Sequence, residues 1–243
     1  MGDKNLNELL KWSIANTTSG PDGTTDEAPR STLSPEALAA LMGGPSDADL
    51  MRESMEHIVS SDPEITLESK LTAFDNLEQL IESLDNANLL SKMGLWTPLL
   101  ECLAHDEDEI RLMAAWCVGT AVQNNEPSQE RLVALGGVEK LVQMAVGKRL
   151  SPAPAANGEE RGGGEQQANR AGEEETQKVR RKAVYALSSA IRNYQPAMDV
   201  CATELRRQGQ GEHVGDDGKT VDATDMDAVD VVINGLREKV NSA

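Results

Sequence analysis

The sequence predicts an all-α chain, a helical repeat solenoid of the armadillo or HEAT type, and three observations predict it. Two layouts recur at a fixed period, apolar and small residues keep helical spacing, and no segment sustains the period-two alternation of a strand. Gly94-Leu95-Trp96-Thr97-Pro98-Leu99-Leu100 matches Gly136-Gly137-Val138-Glu139-Lys140-Leu141-Val142 at an offset of 42 residues. Ile110–Asn124 matches Val179–Asn193 at an offset of 69, and both end in Asn-x-x-Pro, Asn124 to Pro127 and Asn193 to Pro196. The excess of 27 residues equals Lys148–Glu174, where Ser151-Pro152-Ala153-Pro154 and Gly162-Gly163-Gly164 interrupt all apolar periodicity. Each unit of about 42 residues would bury one face against its neighbour, and the stack would present an elongated binding surface.

The elements follow in order. Leu6, Leu9 and Leu10 are spaced i, i+3, i+4, which predicts a short amphipathic helix, and Thr17–Ser31 is a Thr/Ser/Gly/Pro/Asp linker. Ser34 before Pro35 and Glu36 starts a short helix that Gly43-Gly44-Pro45 stops. Ser46-Asp47-Ala48-Asp49 is a capping-box variant opening a helix through Leu50, Met51, Met55, Ile58 and Val59. A stronger helix is expected from Leu67 to Leu84 on the stripe Leu71, Phe74, Leu77, Leu80, Ile81 and Leu84. In the matched helices, Ala114, Ala115, Gly119 and Ala121, like Ala183, Ala186, Ser188 and Ala190, would allow close helix approach. Val229, Val232, Ile233 and Leu236 read as a helix with an acidic head. The expected organisation is therefore a flexible, disordered N-terminal segment over 1–45, armadillo-like repeats over 46–147, and a low-complexity insertion over 148–174. Repeats resume over 175–206, and 207–243 holds a linker and the acidic C-terminal helix. The insertion reads either as a loop or as an unspliced intron translated into protein.

Composition narrows the function. The 243 residues carry 23 basic and 41 acidic side chains, a formal charge of −18, and only six aromatics. Residues 46–147 alone contribute −13, so the acidity belongs to the repeat region. Such a surface disfavours nucleic acid and anionic membrane as partners and favours one with a matching basic face. Met1–Leu10 has no apolar signal core, and no run approaches the roughly 18 apolar residues of a membrane span. The expected compartment is the cytosol, and the expected state is monomeric. Cys102, Cys117 and Cys201, odd in number and widely spaced, read as buried free thiols.

No constellation for catalysis is present in the sequence. His57, His105 and His213 are isolated and lack metal-ligand partners at the required spacing, so no metal site, cofactor or catalytic residue is expected. Gly162-Gly163-Gly164 lacks the strand and helix of a phosphate loop, and Asp225–Asp230 lacks the glycine and distal glutamate of a calcium loop. Lys178-Val179-Arg180-Arg181-Lys182 is the one basic cluster, expected to be the solvated or partner-facing first turn of a repeat helix, with a nuclear-import patch as the alternative.

Leu9–Asn16, Gly43-Gly44-Pro45, Leu50–Met55, Ala73–Glu78, Leu80–Asn88, Leu95–Leu99, Gly119–Asn125 and Lys182–Ser189 carry a family resemblance by their order and spacing. The chain resembles the fungal armadillo-type nucleotide exchange factors of cytosolic heat-shock protein 70 chaperones over about 5–16, 43–147 and 175–205, with the helix near 225–240. The resemblance implies repeats that wrap one lobe of the chaperone ATPase domain and distort it until ADP leaves. ATP then binds and the client is released. It implies contact through the concave face, at Asp85, Asn86, Ala87, Asn88, Gln123, Asn124, Asn125, Arg192 and Asn193. It further implies that Leu6, Leu9, Leu10, Trp12 and Ile14 mimic a client in the chaperone's groove. After Leu205 the chain departs from longer members, which continue with further repeats. The alternative is a general armadillo scaffold holding an extended peptide, although Trp96 and Trp116 do not recur at the period.

Overall fold

A computed structural model describes residues 44–151, 174–215 and 220–242. The N-terminal helices and linker expected before Gly44, and most of the insertion, lie outside the described residues. The chain separates into two units, Met1–Leu50 and Met51–Ala243. In the first, Ser46 Oγ accepts from the Asp49 N–H at 3.2 Å, so the predicted cap opens α1, Asp47–Val59.

The described residues form ten α-helices and no strand, an armadillo-like solenoid. After α1 come α2 (Leu67–Ile81), α3 (Leu84–Lys92), α4 (Trp96–Glu101), α5 (Asp108–Val122), α6 (Glu126–Ala134) and α7 (Gly137–Ala145). Beyond the insertion lie α8 (Gln177–Ile191), α9 (Gln195–Arg207) and α10 (Met226–Ser242). The triplets α3-α4-α5 and α6-α7-α8 are successive repeats. Gly94 and Gly136, equivalent by sequence, both take the left-handed backbone, φ 71° and 68°. Asn124 and Asn193 do the same at 51° and 57°, and each is followed by a helix with proline in its first turn. The Asn-x-x-Pro layout is thus a repeated helix stop and restart.

The core is the Leu, Ala, Val and Met expected from the aromatic-poor composition, with Phe74 and Trp96 as its largest rings. Helices α2, α5 and α8 pack in sequence as a ladder. Trp116 meets Lys182 and Gly119 meets Tyr185, an almost constant offset that makes α5 and α8 parallel. A Cβ on Gly119 would lie 2.5 Å from Tyr185 Cε1 and 3.1 Å from Ala186 Cα, so the small residue is what permits this approach.

Two expectations change. The helix from Leu67 ends at Ile81, because Ser83 turns extended and starts α3. Asn86 Nδ2 donates to the Leu80 carbonyl at 2.9 Å and satisfies the helix end that this break opens, while Leu84 is left exposed. The basic turn Lys178–Lys182 is not simply a solvated face, since Arg180 is buried and donates to the Ala145 carbonyl and Glu174. After Leu205 the chain forms a C-terminal helix, as expected, and this helix, α10, packs on the last ladder helix. Gln177 reaches the Val240 carbonyl, Arg181 reaches Asn241, and Arg192 pairs with Asp230. That order of contacts makes α10 antiparallel to α8, a closing helix and not a further repeat.

The two ends of the insertion lie side by side. Lys148 and Glu174 form an isolated antiparallel bridge, and the Glu175 N–H donates to the Gly147 carbonyl at 2.8 Å. Helices α7 and α8 consequently pack as direct neighbours despite the residues between them.

Candidate partner-binding edge of the solenoid

A parallel ladder puts the carboxyl ends of α2, α5 and α8 on one edge. Thr120, near the end of α5, donates to Glu78 Oε1, near the end of α2, at 2.7 Å. The residues singled out from sequence are those that follow these three ends, so the fold brings their three groups to a common edge. Within each group the side chains differ in availability.

After α2, Asp85 is exposed, Asn88 is half-buried, and Asn86 and Ala87 are buried. Asn86 is engaged in capping, as described, whereas Asn88 Oδ1 is a buried acceptor that meets no donor among the described residues. After α5, Gln123 and Asn124 are exposed. Asn125 is buried, with Nδ2 donating to the Ala121 carbonyl at 3.1 Å and Ser128 Oγ at 2.9 Å. After α8, Asn193 is exposed and Arg192 is half-buried against Ser188 and Asp230. Along this edge Asp85, Gln123, Asn124 and Asn193 are thus exposed, and Asn88 and Arg192 are half-buried. Asn86 and Ala87, in the first turn of α3, and Asn125, before α6, are buried behind them.

Two further features escape the sequence reading. On the ladder face, Lys182 Nζ stands 3.4 Å from the centroid of the Trp116 ring and 5.4 Å from that of Tyr185. Burial holds the Lys182 ammonium below the usual lysine range, against the opposing charge of Glu78. The offset of 69 places Lys182 opposite Met113 in the repeat, which explains why no periodic signal marks it. The second feature is Gln129, buried on α6. Its Nε2 lies 3.1, 3.0 and 3.1 Å from the carbonyls of Ser189, Ala190 and Arg192 and caps α8 from the neighbouring helix. A glutamine two residues after the proline in the first turn of the helix was the available sign.

No group of three or more His, Cys, Asp or Glu among the described residues could hold a metal ion. All three cysteines are free and buried, and burial pushes the Cys102 and Cys201 thiols up to about 12. No described helix is long and apolar enough to cross a membrane.

Fold and edge together define a short armadillo array with polar residues following the ends of its ladder helices. Residues 6–90 match the family described as nucleotide exchange factor Fes1. The chain is 53% identical to a Gibberella zeae protein named Hsp70 nucleotide exchange factor FES1, with both chains covered completely. It is 48% identical to the Neurospora crassa protein of that name, over 99% of this chain and all of the relative. A Coccidioides immitis relative with the same name is 43% identical over 97% of this chain and 98% of its own. An Eremothecium gossypii relative is longer, with 65% of its length covered at 35% identity. The chain belongs to the Fes1 family of nucleotide exchange factors.

Proposed function

We propose that this chain binds the ATPase domain of a cytosolic Hsp70 chaperone through the edge formed by the three turns, accelerates ADP release, and so promotes client release. The observation that supports it best is the ladder that aligns Asp85, Asn88, Gln123, Asn124, Arg192 and Asn193 on a chain of this family. The mechanism is a linkage. A partner that binds the ADP-free, distorted ATPase domain more tightly weakens ADP, and ADP weakens the partner by the same factor. No reacting group on this chain is needed, so the protein acts as a cofactor-free binder and not as an enzyme.

The charge of −18 gives the reading a second test. Association with the chaperone is expected to slow on the order of tenfold between low and high salt, because long-range attraction to a basic partner face is screened. Stopped-flow association rates across a salt series check it, and a flat series removes the electrostatic part of the proposal.

Leu6, Leu9, Leu10, Trp12 and Ile14, outside the described residues, are the client-groove mimic of this proposal. A chain lacking residues 1–33 is expected to accelerate ADP release as the full chain does and to release a peptide client less completely. Fluorescent client release measured beside ADP release separates the two, and equal client release would exclude the mimic.

A further inference from the structure

The turn after α8 is held from the C-terminal segment. Arg192 donates from Nε to Ser188 Oγ at 3.2 Å on its own helix. Its Nη1 reaches Met226 Sδ at 3.3 Å, and its Nη2 pairs with Asp230 Oδ1. The Asn193 N–H donates to the Ala223 carbonyl at 2.9 Å, and Gln195 Nε2 donates to the Val221 carbonyl at 2.9 Å. The Ala223 N–H donates back to Gln195 Oε1 at 2.9 Å. All but the first of these bonds cross from 192–195 to 221–230.

A guanidinium has five N–H donors in a rigid fork. Three are directed to Ser188, Met226 and Asp230, and the side chain remains 30% exposed, so two donors are left for an outside acceptor. An arginine already fixed in one rotamer loses less conformational freedom when it binds. The pair itself lies at the surface, with Asp230 47% exposed, and an exposed ion pair contributes little to folding. Its geometry therefore has more to do with where Arg192 points than with stability.

We propose that Asp230 is a positioning residue for partner binding, acting through Arg192, and that α10 completes the edge that the last repeat presents. The inference rests on the reading of Arg192 as a partner contact. In this chain a closing antiparallel helix holds the last contact residue in place.

The test uses the full chain with an intact Hsp70 chaperone loaded with fluorescent ADP, and reads both the maximal release rate and the concentration giving half of it. Asp230→Asn is expected to raise the half-saturating concentration roughly fivefold to tenfold, with the maximal rate and thermal midpoint unchanged. Asp230→Glu, which keeps the carboxylate, restores most of the loss. Arg192→Ala weakens binding at least as much, and the double variant is no weaker than Arg192→Ala alone, because both changes remove one contact. Half-saturation by Asp230→Asn at or below the wild-type concentration overturns the inference, as do additive effects in the double variant. If Arg192→Ala binds like wild type, both the contact and its positioning fall while the exchange reading stands. If the wild-type chain does not accelerate ADP release, the exchange reading itself falls.

Discussion

Arg111→Ala is expected to cost about 3–5 kcal/mol of stability and to lower the thermal midpoint by roughly 10 °C. Arg111 is 1% exposed, and the side chain of its partner Glu175 is fully buried. The pair is bidentate, with Nε on Oε2 at 2.8 Å and Nη2 on Oε1 at 2.7 Å. Nη1 adds the carbonyls of His105 and Asp106 at 2.7 and 2.9 Å, and Nη2 adds Asp108 at 2.6 Å. Burial alone would disfavour the charged guanidinium, but the bonds and charges of Glu175 and Asp108 raise its pKa above the ordinary arginine value. Truncation leaves a carboxylate in the interior without its counter-ion, which costs far more than the pair is worth as a unit. The double change Arg111→Met with Glu175→Leu is therefore expected to regain most of the loss. Thermal and urea unfolding followed by circular dichroism decide it. A single variant that unfolds at the wild-type midpoint would show that the clasp holds nothing. Glu175 directly follows the insertion, so this pair also ties the start of α8 to the start of α5 where the chain between them is longest.

Gln129→Leu is expected to destabilise by about 2–4 kcal/mol, since three carbonyls at the end of α8 lose their shared donor inside the protein. Gln129→Glu should be worse than the leucine, because a carboxylate would face the same three carbonyl oxygens. The effect should reach binding as well, since the Arg192 carbonyl is one of the three and the proposed contact edge includes that turn. At a temperature well below the midpoint, both variants are expected to need more protein for half-maximal ADP release. Binding identical to wild type in a destabilised Gln129→Leu would show that the turn keeps its shape without this cap. A leucine variant as stable as wild type would contradict the cap itself.

These residues also mark the boundary of what periodicity can reveal. The 42-residue period, the paired glycines and the Asn-x-x-Pro stops were readable because a repeat imposes the same local geometry twice, and left-handed backbone admits few residue types. The close approach of α5 and α8 was readable from Gly119 and its small neighbours, whereas their parallel direction was not. Leu84 misled because it extends the apolar stripe of α2 in register, while the break at Ser83 depends on Asn86 reaching back to Leu80. Arg111 and Arg180 occupy equivalent positions, yet a charged residue in a first turn ordinarily reads as solvated. Only the fold reveals that Arg111 reaches the carbonyls of His105 and Asp106 just before its helix, and Arg180 the Ala145 carbonyl at the end of α7. The antiparallel course of α10 was out of reach for a similar reason. Its apolar stripe identifies a helix with one buried face, but the direction is set by Asp230, Val240 and Asn241 meeting residues far away in sequence. In the candidate edge, the family resemblance pointed to the positions, and burial in the fold then separated Asn86 and Asn125 from exposed Gln123, Asn124 and Asn193.

The most direct measurement of the central claim is stopped-flow release of fluorescent ADP from a cytosolic Hsp70, with excess ATP, across a concentration series of this protein. A saturable acceleration is predicted, abolished or strongly right-shifted when edge residues beyond all three helix ends are changed together, as in Asp85→Arg with Asn124→Arg and Arg192→Asp. A release rate that stays at its spontaneous value at saturating protein would contradict the account.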